Sequence, residues 1–310
     1  PILLNFLLDI TPDKSQLLIT IKLAGILREK KQEVYYTYTS NPAFTPVLYN
    51  KGISNCVLYP DDFRWLKPDL TLLDCRHAAH ASLYRQLAID YIFIAMQLPD
   101  QKNIQDKDIS ILYLPPTPYL SSDSGPRLET LTKRLQDIKK DKERNIIVGL
   151  LGKGNKNSKI LEDFYRVIKR SSIRNPRYQF ILLTDIPNVY QSSELPDNME
   201  LFRTLNLNTI LPLCDLALTD SHSDAWLDCT FAQIPVLKYS PKDMINITPM
   251  KLEQQIEYAL QNKTTLTQKA KELCDFFERK NREINKIADM LIERAGRNRY
   301  NSCRLRPHTY

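Results

Sequence analysis

One stretch of the chain, residues 198–239, constrains the fold more than any other. It alternates three apolar runs with two segments of helical length, in the order Met199–Phe202, Asn206–Cys214, Leu216–Leu218, Ala225–Ala232 and Ile234–Tyr239. This order predicts a β-α-β-α-β unit of an α/β protein, whose parallel sheet binds ligands at the carboxyl ends of its strands. The polar turn 219–224 lies at such an end and directly precedes a helix, where free backbone N–H groups favour an anion. We therefore expect a phosphate-bearing ligand at this turn.

The same stretch resembles the donor-binding half of GT-B-fold glycosyltransferases of the UDP-glycosyltransferase and macrolide-glycosyltransferase kind. In that family a segment N-x-x-x-x-x-W-x-P-Q precedes a D-A-x-x-T-H-G-G turn, which is followed by Glu-Ala and later by G-x-P. An ungapped match places these motif positions on Asn198, Asp215, Thr219, Asp220, Asp228 and Pro235. The resemblance implies a GT-B architecture, with two Rossmann-like parallel-sheet domains facing each other across a cleft.

Several identities depart from the family's motif although the spacing is kept. The base-stacking Trp falls on Thr204, the Gln falls on Leu207, and the His-Gly-Gly of the turn falls on residues 220–222. A carboxylate at Asp220 repels a diphosphate unless a cation intervenes, and a pocket filled by the side chains of residues 220 and 222 would argue against sugar transfer. The donor site implied by the resemblance consists of Thr204, Asp220, Ser221, His222, Ser223, Asp224, Asp228 and Asp243.

The start of the chain predicts a βαβ unit that resembles the opening of the same family. The elements are a buried strand at Ile2–Leu8, a helix at Gln16–Lys30 and a strand at Glu33–Thr39. Counting back from the second strand, the family's catalytic His falls on Gln16, which cannot act as a base. A carboxylate is the nearest replacement, and we prefer Asp13 to Asp9 because it is closer to the helix start. The alternative for Asp13 is a helix-capping or turn residue.

A further candidate site follows the strand that ends at Asp74. His77 and His80 stand three residues apart at the start of a predicted helix, 76–88, and therefore share one of its faces. Asp74 and His77 point toward the interdomain cleft in a fold of this kind, so His77 is a candidate base or acceptor contact. The alternative is a helix-capping Asp and a surface His. No third ligand is spaced to join the two histidines, so we expect no metal.

A Pro- and Ser-rich region, 97–142, predicts the domain connection. We place one domain at 1–142 and the other at 143–310, with closing helices at 249–260 and 267–296. In GT-B proteins the last helix packs back on the first domain. After a buried strand at 145–151, the resemblance places the donor diphosphate near Gly152, Lys153, Gly154 and Asn155. The alternative is an ordinary polar turn, and the loop does not satisfy the P-loop motif.

Composition narrows the remaining choices. The 310 residues include only 7 Gly, carry a net charge of +7 and contain 6 Cys without a CxxC pair. The cysteine pattern favours reduced thiols in a cytoplasmic protein. The basic end of the chain permits contact with an anionic membrane, but it lacks the interleaved aromatic residues of single-strand binders, so we expect no nucleic acid.

These observations predict a glycosyltransferase that moves a sugar from a nucleotide diphosphate sugar, of the UDP, dTDP or GDP type, to a hydroxyl acceptor. The acceptor is a small or lipid-linked molecule, and neither a metal nor a cofactor is required. Two alternatives remain open at this point. The first is a non-catalytic GT-B relative that binds a ligand or partner, which the lost His, Trp, Gly-Gly and Gln favour. The second is a nucleotide-sugar hydrolase or epimerase on the same fold.

Overall fold

The computed structural model describes residues 2–10, 14–37, 56–57, 63–100, 104–105, 110–118, 126–152, 158–184, 186, 189, 194–221 and 224–304. Within these ranges the chain forms two compact units. The first consists of Pro1–Thr117 together with Phe276–Tyr310, and the second consists of Pro118–Asp275. No helix among the described residues is both long enough and apolar enough to cross a membrane.

Strands and helices alternate along most of the chain. The strands are β1 (Asn5–Asp9), β2 (Glu33–Thr37), β3 (Cys56–Val57), β4 (Leu70–Asp74), β5 (Tyr91–Met96), β6 (Ile104–Gln105), β7 (Ser110–Leu114), β8 (Asn145–Leu151), β9 (Tyr178–Thr184), β10 (Met199–Phe202), β11 (Leu216–Asp220) and β12 (Val236–Tyr239). The α-helices are α1 (Lys14–Glu29), α2 (Phe63–Leu66), α3 (Ala81–Gln86), α4 (Pro126–Lys140), α5 (Ser158–Arg174), α6 (Leu207–Ile210), α7 (Ala225–Phe231), α8 (Pro241–Asn246), α9 (Pro249–Gln261), α10 (Lys263–Arg282) and α11 (Ile284–Arg304). Two 3₁₀ helices span Cys75–His80 and Leu211–Leu213.

The described part of the first unit contains a seven-stranded sheet in the order β3-β2-β1-β4-β5-β7-β6. Neighbouring strands pair in parallel, except that β6 and β7 are antiparallel. The central strand β1 is a continuous apolar run because a parallel strand is covered on both faces. Phe6, Leu7 and Leu8 are accordingly fully buried.

The last helix completes the core of the first unit. Ile284, Ala288, Leu291 and Ala295 of α11 recur at helical spacing and pack in the same cluster as the buried residues of α1 and β1. This return of the final helix to the first unit is the packing that the GT-B resemblance implies.

The second unit has five parallel strands in the part that the structure describes, in the order β10-β9-β8-β11-β12. This is the Rossmann order 3-2-1-4-5. The predicted limits of β8, 145–151, agree with the observed ones, since the residues that follow Asn145 in this strand are apolar or glycine and are buried.

Asn198, the first residue of the resembling motif, has a structural role. Its side-chain amide lies 2.9 Å from the carbonyl oxygen of Ser172, 3.2 Å from that of Asn175 and 2.8 Å from that of Tyr178. These contacts tie the end of α5 to the strands that follow. A buried carbonyl without a donor costs about 1–3 kcal/mol, so this amide stabilises the turn.

Asp215, the next motif residue, also stabilises the scaffold. Its buried carboxylate accepts the N–H of Ile146 at 2.8 Å and pairs with the ammonium group of Lys263. The carboxylate therefore joins the starts of β11 and β8 to helix α10. Two residues that this chain shares with the glycosyltransferase motif, Asn198 and Asp215, are thus explained by their contacts within the fold alone.

Some predicted limits differ from the structure. Strand β11 continues through Thr219 and Asp220, which therefore belong to the strand and not to the turn. The single helix predicted at 267–296 is two helices, α10 and α11, separated at Glu283. The predicted helix 76–88 is a 3₁₀ helix followed by α3.

The compact units also differ from the domain limits predicted from composition. Strand β7 lies inside the predicted connection 97–142 and pairs with β5, which extends the first unit to Thr117. Helix α4, which composition assigns to the first domain, lies in the second unit, where Leu131 and Leu135 pack against β8.

Leu291→Ala tests the return of the last helix. The Leu291 side chain is fully buried in the first core, so its truncation is expected to lower the free energy of unfolding by about 2–5 kcal/mol. Urea denaturation followed by circular dichroism measures the change. The matched control is the neighbouring, partly exposed Met290→Ala, which is expected to change stability much less. Equal effects of the two variants would contradict this packing of the last helix.

Candidate active site

Strands β1 and β4 are neighbours in the first sheet, and the strand order reverses direction between them. The connection from β1 leads away to β2 on one side, and β4 begins the series on the other side. In open parallel sheets such a switch point leaves a crevice at the carboxyl ends of the two strands. Asp9 is the last residue of β1 and pairs with Leu73 of β4, beside Asp74. A cluster of polar side chains lies at this position.

The carboxylate of Asp9 is 1% exposed and receives four side-chain contacts, of which the longest is from the Thr37 hydroxyl at 3.5 Å. His77 Nδ1 lies 3.0 Å from Oδ1, His80 Nδ1 lies 2.7 Å from Oδ2, and the Tyr84 hydroxyl donates to Oδ2 at 2.6 Å. An ionised carboxylate can only accept hydrogen bonds, so each imidazole is assigned its proton on Nδ1. In a neutral imidazole this assignment leaves the Nε2 lone pair available to accept a proton.

The 3₁₀ helix Cys75–His80 explains why both imidazoles reach one carboxylate. With three residues per turn, side chains at positions i and i+3 eclipse each other, and the two rings lie 4.8 Å apart between centroids. His77 itself departs from helical geometry, with φ −96° and ψ 25°. Its side chain is 25% exposed and that of His80 is 44% exposed, so both rings are accessible to solvent while they contact a buried acid.

Asp74 orients this helix. Its Oδ1 accepts the backbone N–H of Arg76 at 2.9 Å and thereby caps the helix start, and its Oδ2 pairs with the Arg76 guanidinium at 3.1 Å. These contacts occupy the carboxylate that the sequence marks as a catalytic candidate. The observed arrangement gives Asp74 a positioning role, through the segment that carries both histidines.

Tyr84 contributes the third contact from helix α3. Burial raises the pKa of its phenol well above the ordinary value, and the neighbouring charge and hydrogen bond of Asp9 add to the effect. The hydroxyl therefore stays protonated and acts as a fixed donor. Sequence reasoning missed this residue, although His77, His80 and Tyr84 follow a spacing of three and four residues that is typical of one helical face.

The other predicted residues of the first unit have mixed outcomes. Asp13 lies outside the described residues. Gln16, which takes the place of the family's catalytic His, is buried in α1. Asp9, the less preferred of the two carboxylates, lies beside both histidines. It is the third potential metal ligand, which the spacing of His77 and His80 in the sequence does not reveal.

The second sheet has its own switch point between β8 and β11, and a carboxylate lies there too. Asp220 ends β11, is buried, and accepts the backbone N–H of Gly152 at 3.2 Å with its Oδ2. Gly152 directly follows the last residue of β8 and has a φ angle of 97°, a backbone conformation that favours glycine. Because its amide already has an acceptor, this N–H is not directed at a ligand phosphate in the observed structure.

Two of the predicted donor residues around helix α7 are acidic. Asp224 stands at the N-cap without a side-chain capping bond, and Asp228 lies in the first turn, 8% exposed. Ser221 is exposed and its N–H donates to the Tyr239 carbonyl at 2.8 Å. Helix α7 has only seven residues, and the acidic side chains near its start oppose the attraction of its N–H groups for a diphosphate.

Thr204 and Asp243 complete the predicted donor set. Thr204 is exposed after β10. The Asp243 carboxylate accepts the N–H of Ser240 at 2.8 Å and its hydroxyl at 2.6 Å, forming a capping box at the start of α8. These hydrogen bonds hold the pKa of Asp243 below its usual value. The capping contacts explain an acidic residue at position 243, and contact with a donor sugar is not needed to explain it. Lys153, Gly154, Asn155, His222 and Ser223 lie outside the described residues.

Tyr84→Phe tests the contact with Asp9. Removal of the hydroxyl takes one donor from a buried carboxylate and is expected to cost about 1–3 kcal/mol of stability. The matched control is Tyr91→Phe, which removes a hydroxyl from a nearby, partly exposed ring and is expected to stay within about 0.5 kcal/mol of the parent protein. Chemical denaturation of both variants measures the difference, and an unchanged Tyr84→Phe would contradict the contact.

Comparisons with known proteins place this geometry in context. No protein-family model and no curated protein sequence matches the chain. Solved structures do match. The glycotransferase of kitacinnamycin is 13% identical with a TM-score of 0.62, covering 95% of this chain and 99% of that one. SnogD, a glycosyltransferase from Streptomyces nogalater, is 15% identical with a TM-score of 0.61, covering 94% and 99%.

A third match is the spinosyn rhamnosyltransferase SpnG complexed with thymidine diphosphate. It is 12% identical with a TM-score of 0.64, covering 92% of this chain and 100% of that one. All three matched proteins are glycosyltransferases by their descriptions, and the likeness extends over nearly the whole of both chains. The chain therefore has the GT-B fold of these glycosyltransferases.

Proposed function

We propose that this protein is a glycosyltransferase that moves a sugar from a nucleotide diphosphate sugar to a hydroxyl group of an acceptor, without a metal or cofactor. The observation that carries the proposal is the His77–Asp9 contact at the switch point of the first sheet, in a chain with the fold of known glycosyltransferases. The family's base at the head of α1 is replaced by Gln16. The cluster at the strand ends supplies a base from a different element.

His77 acts as the general base in this mechanism. With Nδ1–H donating to Asp9, its Nε2 accepts the proton of the acceptor hydroxyl as that oxygen attacks the anomeric carbon of the donor sugar. The buried carboxylate orients the ring and stabilises the imidazolium that forms. The nucleoside diphosphate leaves with the electron pair of the broken C–O bond. Such an attack from the opposite face inverts the anomeric carbon.

The donor is proposed to be a thymidine or uridine diphosphate sugar. The support is the matched structure of SpnG, whose description names thymidine diphosphate. The carboxylate of Asp228 is proposed to bind the ribose hydroxyls, because it takes the motif position of the family's Glu. The acceptor is proposed to be a small or lipid-linked molecule with a hydroxyl group.

His77→Ala and His80→Ala separate the base from its neighbour. Loss of a general base is expected to lower kcat by about 10²- to 10⁴-fold, so His77→Ala should show this loss with any donor and acceptor that the parent protein uses. His80→Ala should lower kcat by less than about tenfold, because it leaves the His77–Asp9 pair in place. Steady-state kinetics measure both. A larger loss in His80→Ala than in His77→Ala would move the base assignment to His80.

A second candidate function is favoured by the Asp220–Gly152 contact. At the second switch point the Asp220 carboxylate accepts the Gly152 N–H, and Asp224 and Asp228 are nearby in sequence. These negative charges suit a GT-B relative that does not bind a nucleotide diphosphate sugar and instead binds another ligand or a partner. The two candidates differ in one measurable property, which is affinity for the donor.

Titration calorimetry with thymidine diphosphate and uridine diphosphate decides between the two candidates. For a glycosyltransferase, Asp228→Ala is expected to weaken binding about tenfold or more, through loss of a charge-assisted hydrogen bond. Asp220→Asn keeps an acceptor for Gly152 but removes a negative charge, so it is expected to strengthen binding. Absence of heat with every nucleotide, in the parent protein and in Asp220→Asn, would support the binding protein.

We also propose a cytoplasmic location. The four cysteines whose side chains the structure describes are free thiols, as expected in a reducing compartment. Contact with an anionic membrane has less support, because Arg294, Arg297 and Arg299 of the basic last helix each form an ion pair with an acidic residue of the same unit.

A further inference from the structure

We infer that Asp9, His77 and His80 form a binding site for a divalent transition-metal ion such as Zn²⁺. One potential ligand atom from each of the three residues lies within 4.8 Å of the others. Two imidazole nitrogens with one carboxylate oxygen are a donor set that binds zinc and neighbouring transition metals. Imidazole nitrogen disfavours Mg²⁺ and Ca²⁺, which prefer oxygen ligands.

The hydrogen bonds themselves indicate where the ion binds. Each Nδ1 lies 3.0 Å or less from an oxygen of Asp9, with a proton between them. A metal ion that replaces these protons would be ligated by the same nitrogen and oxygen lone pairs. In a tetrahedral zinc site the ligand atoms are about 3.4 Å apart, given bonds of about 2.1 Å. The two nitrogen–oxygen distances are shorter than this value, and the three ligand atoms lie within 4.8 Å of one another, so binding requires side-chain movements of about 1 Å.

The surroundings support a metal site in two further ways. The Tyr84 hydroxyl donates to Asp9 Oδ2 at 2.6 Å, which is the kind of outer hydrogen bond that orients a ligating carboxylate. The His80 side chain is 44% exposed, so an ion has an entry path from solvent. Three protein ligands leave a further coordination position open, as in sites that accept an exogenous ligand.

The site has a consequence for the proposed transferase, and this step rests on that proposed function. An imidazole bound to a metal through Nδ1 carries its remaining proton on Nε2. His77 in this form cannot accept a proton from the acceptor hydroxyl. The metal would therefore inhibit sugar transfer, and removal of the metal by a chelator would restore it.

Metal binding is measured directly on the untagged full chain by titration calorimetry with Zn²⁺, without donor or acceptor. We expect one ion per chain, and binding weakened by more than about tenfold in His77→Ala, His80→Ala and Asp9→Asn. His80→Ala is the decisive variant because the partly exposed ring can be removed without disturbing the core. His308→Ala and His222→Ala, which remove the other two histidines of the sequence, are the matched controls and should bind as the parent does.

Cysteine is the main competing ligand. Cys75 begins the same 3₁₀ helix, but the group of ligand atoms that lie within 4.8 Å of one another consists of Asp9, His77 and His80 and does not include Cys75. Cys75→Ser should therefore keep the affinity, and bound Co²⁺ should show no thiolate charge-transfer absorption in the near ultraviolet. Mg²⁺ should not compete with Zn²⁺.

Three results would overturn the metal site: no binding at millimolar Zn²⁺, binding that survives His80→Ala and His77→Ala unchanged, or a cobalt spectrum dominated by thiolate. None of these results bears on the transferase, which fails separately if His77→Ala retains full activity. Conversely, a chain with no transferase activity that still binds one Zn²⁺ through these residues would keep the metal site and remove only the proposed inhibition.

Discussion

The polar cluster of the first unit depends on the hydrogen bonds to one carboxylate, that of Asp9, which is buried at the end of a central strand. An ionised carboxyl group removed from water is costly unless donors surround it. Asp9 is 1% exposed and is contacted by side chains of the 3₁₀ helix and of α3, both of which follow the neighbouring strand β4. The need to satisfy one buried charge thus draws together groups that lie about 70 residues further along the chain, since the sequence separations are 68, 71 and 75.

The second unit also buries a carboxylate at a strand end, but the group that donates to it is of a different kind. Asp220 also ends a strand at the switch point of a parallel sheet, but its observed partner at that point is a backbone amide, that of Gly152. A backbone N–H neither titrates nor exchanges its proton for a metal. An imidazole does both. The two switch points therefore have the same position in their sheets but carry different kinds of polar contact among the residues that the structure describes.

The sequence predicted those features that depend on local pattern. The apolar run after Asn145 located β8, and the helical spacing of His77 and His80 correctly placed both rings on one side of their segment. The strand β7 was missed because it is a short run inside a region rich in Pro and Ser. Its place in the sheet is set by pairing with β5, which no local pattern reveals.

The site itself was predicted in part. His77 and Asp9 were both considered as candidates, but their contact depends on the order of strands in the sheet, and the sequence does not state that order. Closeness to the helix start favoured Asp13, which lies outside the described residues, and Asp9 is observed buried at a strand end. The capping role of Asp74 was one of its two predicted alternatives and is observed, whereas that of Asp243 was not predicted, because a carboxylate that caps a helix has the same identity and nearly the same position as one that meets a ligand.

The return of α11 to the first core has a consequence for how the protein matures during synthesis. The second unit is one continuous segment, 118–275, and all of its residues have been translated before the ribosome makes Leu291. The first unit is begun earlier, yet its core lacks a helix until α11 emerges from the exit tunnel. The half of the molecule that is translated first is therefore the half that finishes folding last, and until then its apolar surface is left for chaperones to cover.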